Sequence, residues 1–255
     1  MDDIQPYEGF LHLNGWICSA LWCGVKEIDI RFIYEDVSTL STLLFSCQSL
    51  VTSKLNIRVR GNMKVPSNTC LPNLKTLHFS FSKFQDGYSV IMLISNCHVL
   101  ENLEFTYCEF GNISKLNIHN LSLKRLVLDF GEMHVHSQIG FSVIEIDTPN
   151  LVYFKYVDDT MVEGYTISDM KYLERADIEI TLLDRVDYEG ATNLLKEICN
   201  VQSLCLVIED FSKTLFPTPF DPVLAFHKLV EPEFRNQYNE DWQGTRICGV
   251  STLHA

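Results

Sequence analysis

The chain has 255 residues, 46% of them apolar and 21% charged, enough for a substantial core and too apolar for wholesale disorder. Its net charge is −13, and the excess lies entirely in the second half: residues 1–128 hold 11 acidic and 11 basic side chains, residues 129–255 hold 22 and 9. A nucleic-acid groove needs a basic surface, so that class is excluded; the acidic half is either a solvated surface or an attraction for a basic partner.

The first residues, MDDIQPYEGF, are acidic and lack the apolar core of a secretory signal. No apolar run reaches the roughly 18 residues that span a membrane. Nine cysteines are present, an odd number with no CxxC pair, so reduced thiols and a cytoplasmic or nuclear location are expected. In that setting Asn112-Ile-Ser114 and Asn120-Leu-Ser122 carry no glycan.

Along the chain a pattern LxxLxL recurs. It reads VKEIDI (25–30), the looser TSKLNI (52–57), LKTLHF (74–79), LENLEF (100–105), ISKLNI (113–118) and LKRLVL (123–128). It continues as LVYFKY (151–156), LERADI (173–178) and VQSLCL (201–206). The last apolar positions are spaced by 27, 22, 26, 13, 10, 28, 22 and 28 residues. Most of these steps fall in the period of about 20–29 residues of leucine-rich repeats. For the two short steps, ISKLNI is either an extra strand on a tight arch, or one of the two copies is not a true repeat.

Each copy alternates at its end, which puts an apolar pair on one face of a short strand. Such strands bury that face only by stacking. The expected fold is therefore α/β: a leucine-rich-repeat solenoid with a curved parallel sheet on the concave side and short helices or irregular returns on the convex side. Ile17 and Leu21 form a lead-in cap helix within 1–24. VSTLSTLLFSC (37–47), GYSVIMLISNC (87–97) and YEGATNLLKEICN (188–200) read as short return helices. Pro72 and Pro149 end returns just before strands. Segment 129–150 reads as an extended excursion. Irregular repeats occupy 25–210, and 211–255 forms the C-terminal region.

The chain resembles the plant F-box/FBD/leucine-rich-repeat proteins. WICSALWCGVKEIDI (16–30), LLFSCQSLVTSKLNI (43–57), LPNLKTLHF (71–79) and LISNCHVLENLEF (93–105) carry the resemblance. LSLKRLVL (121–128), DTPNLVYFKY (147–156) and GATNLLKEICNVQSLCL (190–206) extend it, so that it covers about 16–206. In that family an F-box docks on the Skp-type adaptor of a cullin ubiquitin ligase, and the repeats choose the substrate. Only fifteen residues precede Trp16, and they are not helical in pattern, so no F-box is recognised. AFHKLVEPEF (225–234) and Trp242 look like the opening of a partial FBD region, and GTRICGVSTLHA continues neither pattern.

The resemblance therefore implies a non-catalytic substrate-recognition module that binds a protein. The Skp-type adaptor is a partner only if an F-box lies upstream; neither nucleic acid, membrane nor cofactor is expected. A degenerate or truncated paralogue without ligase function is the alternative. A metal-dependent enzyme built on His134, His136 and Glu132 is the remote one.

No phosphate loop, GxGxxG, GxSxG or HExxH occurs. Asp158-Asp159 reads as a solvated turn. Cys108, in LENLEFTYCEF, fits the small turn position of the repeat, with Ser82 as its equivalent in LKTLHFSFSKF. Cys47 and Cys97 read as small residues ending return helices, and Cys205 as facing the open side of the sheet. The candidate partner surface is the concave face: Glu27, Asp29, Arg31, Lys54, Asn56, Arg58, Thr76, His78, Ser80, Asn102, Glu104, Thr106, Lys115, Asn117, Arg125, Asp129, Tyr153, Lys155, Arg175, Asp177 and Glu179. Mixed charge of this kind suits a protein better than a small apolar ligand.

Overall fold

The computed structural model describes residues 6–34, 42–59, 62–111, 113–131, 141–158, 162, 164–168, 170–180, 188–208 and 226–236. The chain opens with helix α1 (Pro6–Trp22), longer than its sequence pattern suggested. Ile17 and Leu21 pack inward, and the helix stops at Gly24, whose φ of 75° is the left-handed conformation glycine adopts without strain. The Val25 N–H closes the end by donating to the Ala20 carbonyl at 3.3 Å.

Nine strands then pair in parallel. They are β1 (Glu27–Tyr34), β2 (Thr52–Val59), β3 (Thr76–Ser80), β5 (Asn102–Thr106), β8 (Arg125–Asp129), β10 (Tyr153–Asp158), β12 (Arg175–Ile180), β13 (Ser203–Ile208) and β14 (Glu231–Asn236). Their order in the sheet is their order in the chain. Alternation explains the two faces. In β3 and β5 the pairs Leu77/Phe79 and Leu103/Phe105 are buried, while their neighbours are half-exposed.

The returns form a second layer over the buried face. It contains a 3₁₀ turn (Thr42–Phe45), α2 (Gly87–Asn96), α3 (Tyr188–Glu197), and a short pair β4 (Lys83–Phe84) and β6 (Glu109–Phe110). A three-stranded parallel sheet joins them: β7 (Lys115–His119), β9 (Val143–Asp147) and β11 (Gly164–Ile167). This layer runs from α1 beside the 3₁₀ turn to α2 beside β7 and β11 beside α3.

ISKLNI is therefore not a copy on the main sheet. It imitates the repeat because a return strand buried between two layers also alternates, with Leu116 and Ile118 inward. The excursion after residue 129 includes a return strand of the same kind, VIEID of β9. The two short sequence steps thus merge into one repeat.

An aromatic spine joins the layers. Phe79 stacks on Phe105 at 5.7 Å, Phe105 meets Phe110 edge-on at 5.1 Å, and Phe130 meets Phe141 at 5.6 Å. Tyr156 of the main sheet meets Tyr165 of the second sheet at 5.6 Å. Such pairs each add about 0.5–1.5 kcal/mol beyond their area burial.

The turns are tied by side chains that replace lost ladder bonds. Asn120 donates to the carbonyls of Ile94 and Cys97 at 2.8 and 3.0 Å. Asn73 and Asn150 donate to the carbonyls of Gln48 and Leu121, each at 2.8 Å, and the Ser122 hydroxyl donates to the His98 carbonyl.

Two further expectations are corrected. Asp158 lies not in a solvated turn but inside the core, 2% exposed, where it accepts from Tyr156 Oη at 2.7 Å and from Val162 N at 3.2 Å. The repeat sheet also continues past residue 210, because EPEFRN supplies β14. Pro232 stands in register with Leu204, so the apolar signature is lost there. An edge strand tolerates the missing N–H. No described helix is long and apolar enough to cross a membrane.

Candidate functional site: the open face of the nine-stranded sheet

In-register parallel pairing lines up equivalent side chains in rows. The first row crosses the sheet as Glu27, Thr52, Thr76, Asn102, Arg125, Tyr153, Arg175, Ser203 and Glu231. The central row is Asp29, Lys54, His78, Glu104, Val127, Lys155, Asp177, Cys205 and Glu233. The third is Arg31, Asn56, Ser80, Thr106, Asp129, Val157, Glu179, Val207 and Arg235. Arg58 continues the same face of β2 toward the C-terminal rim.

These rows contain the sequence-derived candidates on β1, β2, β3, β5, β8, β10 and β12, apart from two. Lys115 and Asn117 stand on β7 in the second sheet, where both donate to Glu145 Oε2, at 2.7 and 3.3 Å. Their surface faces away from the rows because ISKLNI is a return strand. His134, His136 and Glu132 lie outside the described residues. Among the described residues no group of three His, Cys, Asp or Glu is placed to hold a metal.

Sequence reasoning missed Thr52, Val127, Val157, Ser203 and Val207, which carry no charge to mark them. It also missed Glu231, Glu233 and Arg235, because Pro232 hid their strand. Cys205 falls in the central row as its position between Leu204 and Leu206 implied. Phe81 and Tyr107 were missed as well. Both follow a strand with φ of 55° and 54°, and their rings lie 4.8 Å apart at the rim.

The face is knit by polar contacts within and between strands. Arg125 pairs with Glu104 at 3.4 Å and lies 4.8 Å over the Tyr153 ring. Tyr153 Oη donates to Asp177 at 2.6 Å, and Arg175 pairs with Asp177 at 3.0 Å. Burial and then the Asp177 bond push the Tyr153 phenol up to about 12. Lys155 reaches Asp129 at 3.2 Å, and His78 faces Glu104 at 3.9 Å. Burial lowers His78 below the ordinary imidazole value; Glu104 opposes that, and Lys54 and Arg125 add to it.

Along the N-terminal rim runs an open groove of about 590 Å³, lined by Val99, Leu121, Tyr172 and an ion-paired chain. In that chain Glu101 bridges Lys75 at 3.4 Å and Lys124 at 3.3 Å, and the two lysines hold its carboxyl below the usual range. Nothing in these rows resembles a nucleophile with an aligned base. They form a broad, polar, laterally braced surface.

Comparison with known proteins agrees with this architecture. The family described as "At1g61320/AtMIF1, LRR domain" matches residues 3–220. The Arabidopsis thaliana F-box protein At3g62430 is 33% identical over 241 residues, covering 92% of this chain and 54% of that protein. The putative F-box/FBD/LRR-repeat protein At5g62970, also of Arabidopsis thaliana, is 31% identical over 229 residues, covering 89% of this chain and 48% of that protein. The chain thus spans about half the length of these relatives. No solved structure matches it. With its repeats, its in-order parallel sheet and a match over most of its length, the chain belongs to the At1g61320/AtMIF1-type leucine-rich-repeat family, among relatives named F-box/FBD/LRR-repeat proteins.

Proposed function

We propose that this chain is the substrate-recognition region of an F-box-type ubiquitin-ligase receptor, and that it binds its protein target on the open face of the nine-stranded sheet without catalysing a reaction. One observation carries the reading. Nine strands present three in-register rows of mostly polar and charged side chains on one surface. An extended, hydrogen-bond-rich face suits a protein, whereas a small ligand needs an enclosed, largely apolar pocket. Coupling to a Skp-type adaptor belongs to an F-box, and these repeats leave that contact to another module.

The test is crosslinking mass spectrometry on partners captured with the full chain. Crosslinks should radiate from Lys54 and Lys155, the two lysines of the open rows. Crosslinks confined to Lys83, Lys115 and Lys196, on the second layer, would overturn the assignment of the face. Stable binding of a Skp-type adaptor by the repeats alone would overturn the division of labour.

A further inference from the structure

The cations of the open face fall into two classes. Arg31, Arg125, Lys155, Arg175 and Arg235 each have a carboxylate within ion-pair distance: Asp29 at 3.4 Å, Glu104 at 3.4 Å, Asp129 at 3.2 Å, Asp177 at 3.0 Å and Glu233 at 2.7 Å. Lys54 and Arg58 have none among the described residues. They are four positions apart along β2, with Asn56 between them on the same open face, and both are exposed. The acid in register with Lys54 is Asp29, and Arg31 already engages it.

Arg58 does have a partner of another kind. Its guanidinium lies 4.0 Å over the Phe81 ring, and that ring leans on Tyr107. A ring occupies only the flat face of a guanidinium, so the in-plane N–H donors stay available for a bidentate acceptor. Phe81 and Tyr107 both hold left-handed backbone, an arrangement unfavourable for bulky side chains. Two successive repeats thus keep aromatic rings at the rim against their own backbone preference. Asn56 and Ser80, neutral hydrogen-bonding residues in register, stand between the lysine row and the rim.

We propose that Lys54 and Arg58, with the Phe81–Tyr107 pair, form a docking subsite for an acidic segment of the protein partner, whose Asp or Glu carboxylates meet the two cations while an apolar side chain rests on the rings. The assignment rests on the reading of the open face as the protein-binding surface. Charge complementarity selects this occupant: the two cations of the open face without a carboxylate among the described residues lie on one strand, on either side of Asn56, and Arg58 is flanked by aromatic surface. Aromatic and arginine side chains that become buried under a partner dominate binding energy at protein interfaces.

The experiment uses the full chain and a randomised dodecapeptide display library. Peptides selected on the wild type should be enriched in Asp and Glu. By fluorescence polarisation their affinity should fall at least tenfold in Lys54→Glu/Arg58→Glu and at higher salt. Phe81→Gly relieves the left-handed strain and removes the ring. It should also lose at least tenfold in affinity while keeping a cooperative melt. Selection of peptides without acidic enrichment, or equal binding by the charge-reversed variant, would overturn the subsite. Preference for phosphoserine peptides over Glu peptides by tenfold or more would overturn the carboxylate assignment. Loss on Arg175→Glu but not on Lys54→Glu/Arg58→Glu would move binding elsewhere on the face, sinking this subsite but not the broader function.

Discussion

The Cys108 thiol donates to the Phe79 carbonyl, 3.4 Å away in the preceding repeat, and to the Thr106 carbonyl at 3.6 Å. The side chain is fully buried, and burial pushes its thiol up to about 12. It is a turn tie, not a nucleophile, because only a thiolate reacts at useful rates. One repeat earlier Ser82 donates to the Ser80 carbonyl at 3.3 Å. Cys108→Ser should therefore cost less than about 2 kcal/mol, since a hydroxyl makes the same bond. Cys108 and Cys97, which is also held near 12 chiefly by burial, should resist Ellman's reagent until the protein is denatured. Labelling at native-state rates would contradict this burial.

Phe105 is fully buried between Phe79, Phe84 and Phe110, and so couples the main sheet to the return of its own repeat. Phe105→Ala should cost about 3–5 kcal/mol, the usual range for emptying an aromatic core site. A thermal melt should fall by roughly 2–4 °C per kcal/mol. Phe105→Asp adds an unpaired buried charge and should abolish cooperative folding.

Between the two sheets, Asp158 accepts from Tyr156 Oη, and the Tyr156 and Tyr165 hydroxyls lie 3.1 Å apart. Burial first, and the neighbouring acidic groups second, raise both phenols above the ordinary value of 10. A raised folded-state value means that the stability is fully present below about pH 10 and is lost as pH rises through the folded value. Absorbance of tyrosinate at 295 nm should show these two phenols still protonated at pH 11 in the folded protein and titrating together with unfolding. Asp158→Ala strands two buried donors and should cost about 2–4 kcal/mol, more than Asp158→Asn.

His78 works in the opposite direction of pH. Its folded value is lowered, chiefly by burial, so the unfolded chain takes up the proton first. Stability is then greatest above about pH 6.5, the unfolded value, and falls as pH drops through the folded value. Urea midpoints at pH 7.5 and 5.5 should differ more for the wild type than for His78→Gln. An equal difference would assign the acid sensitivity to other groups.

The repeat spacing made the main sheet legible, because a strand that must bury one face writes period two into its sequence. Leu77 and Phe79, or Leu103 and Phe105, also predict which neighbours face outward. The failures have physical causes. Leu116 and Ile118 alternate just as well, since a return strand in the second layer buries one face too. Pro232 removes a core signature from β14. Asp158 was misread because its partners, Tyr156 and Val162, lie close in sequence but acquire meaning only when Tyr165 arrives from the other sheet. The Arg58–Phe81 contact was invisible because left-handed backbone at Phe81 and Tyr107 leaves no mark in composition.

Strand β14 also protects its neighbour. It covers the edge of β13, whose sequence SLCLVI has no charge, no proline and high β-propensity. Uncovered, such a strand offers a row of unpaired N–H and C=O groups to a second chain. Strand β14 itself carries Glu231, Pro232, Glu233 and Arg235, which make a poor template for further pairing. Truncation after Ile208 should therefore leave the inner strands paired but raise the oligomeric state above that of the untruncated chain. Light scattering after size exclusion checks this directly. Truncation combined with Leu206→Lys would not separate the effects, because Leu206 is core. Cys205→Lys places charge on the open face of the same edge strand and should restore most of the original oligomeric state. A truncated chain that keeps the oligomeric state of the untruncated chain at high concentration would show that β14 is dispensable as an edge cover.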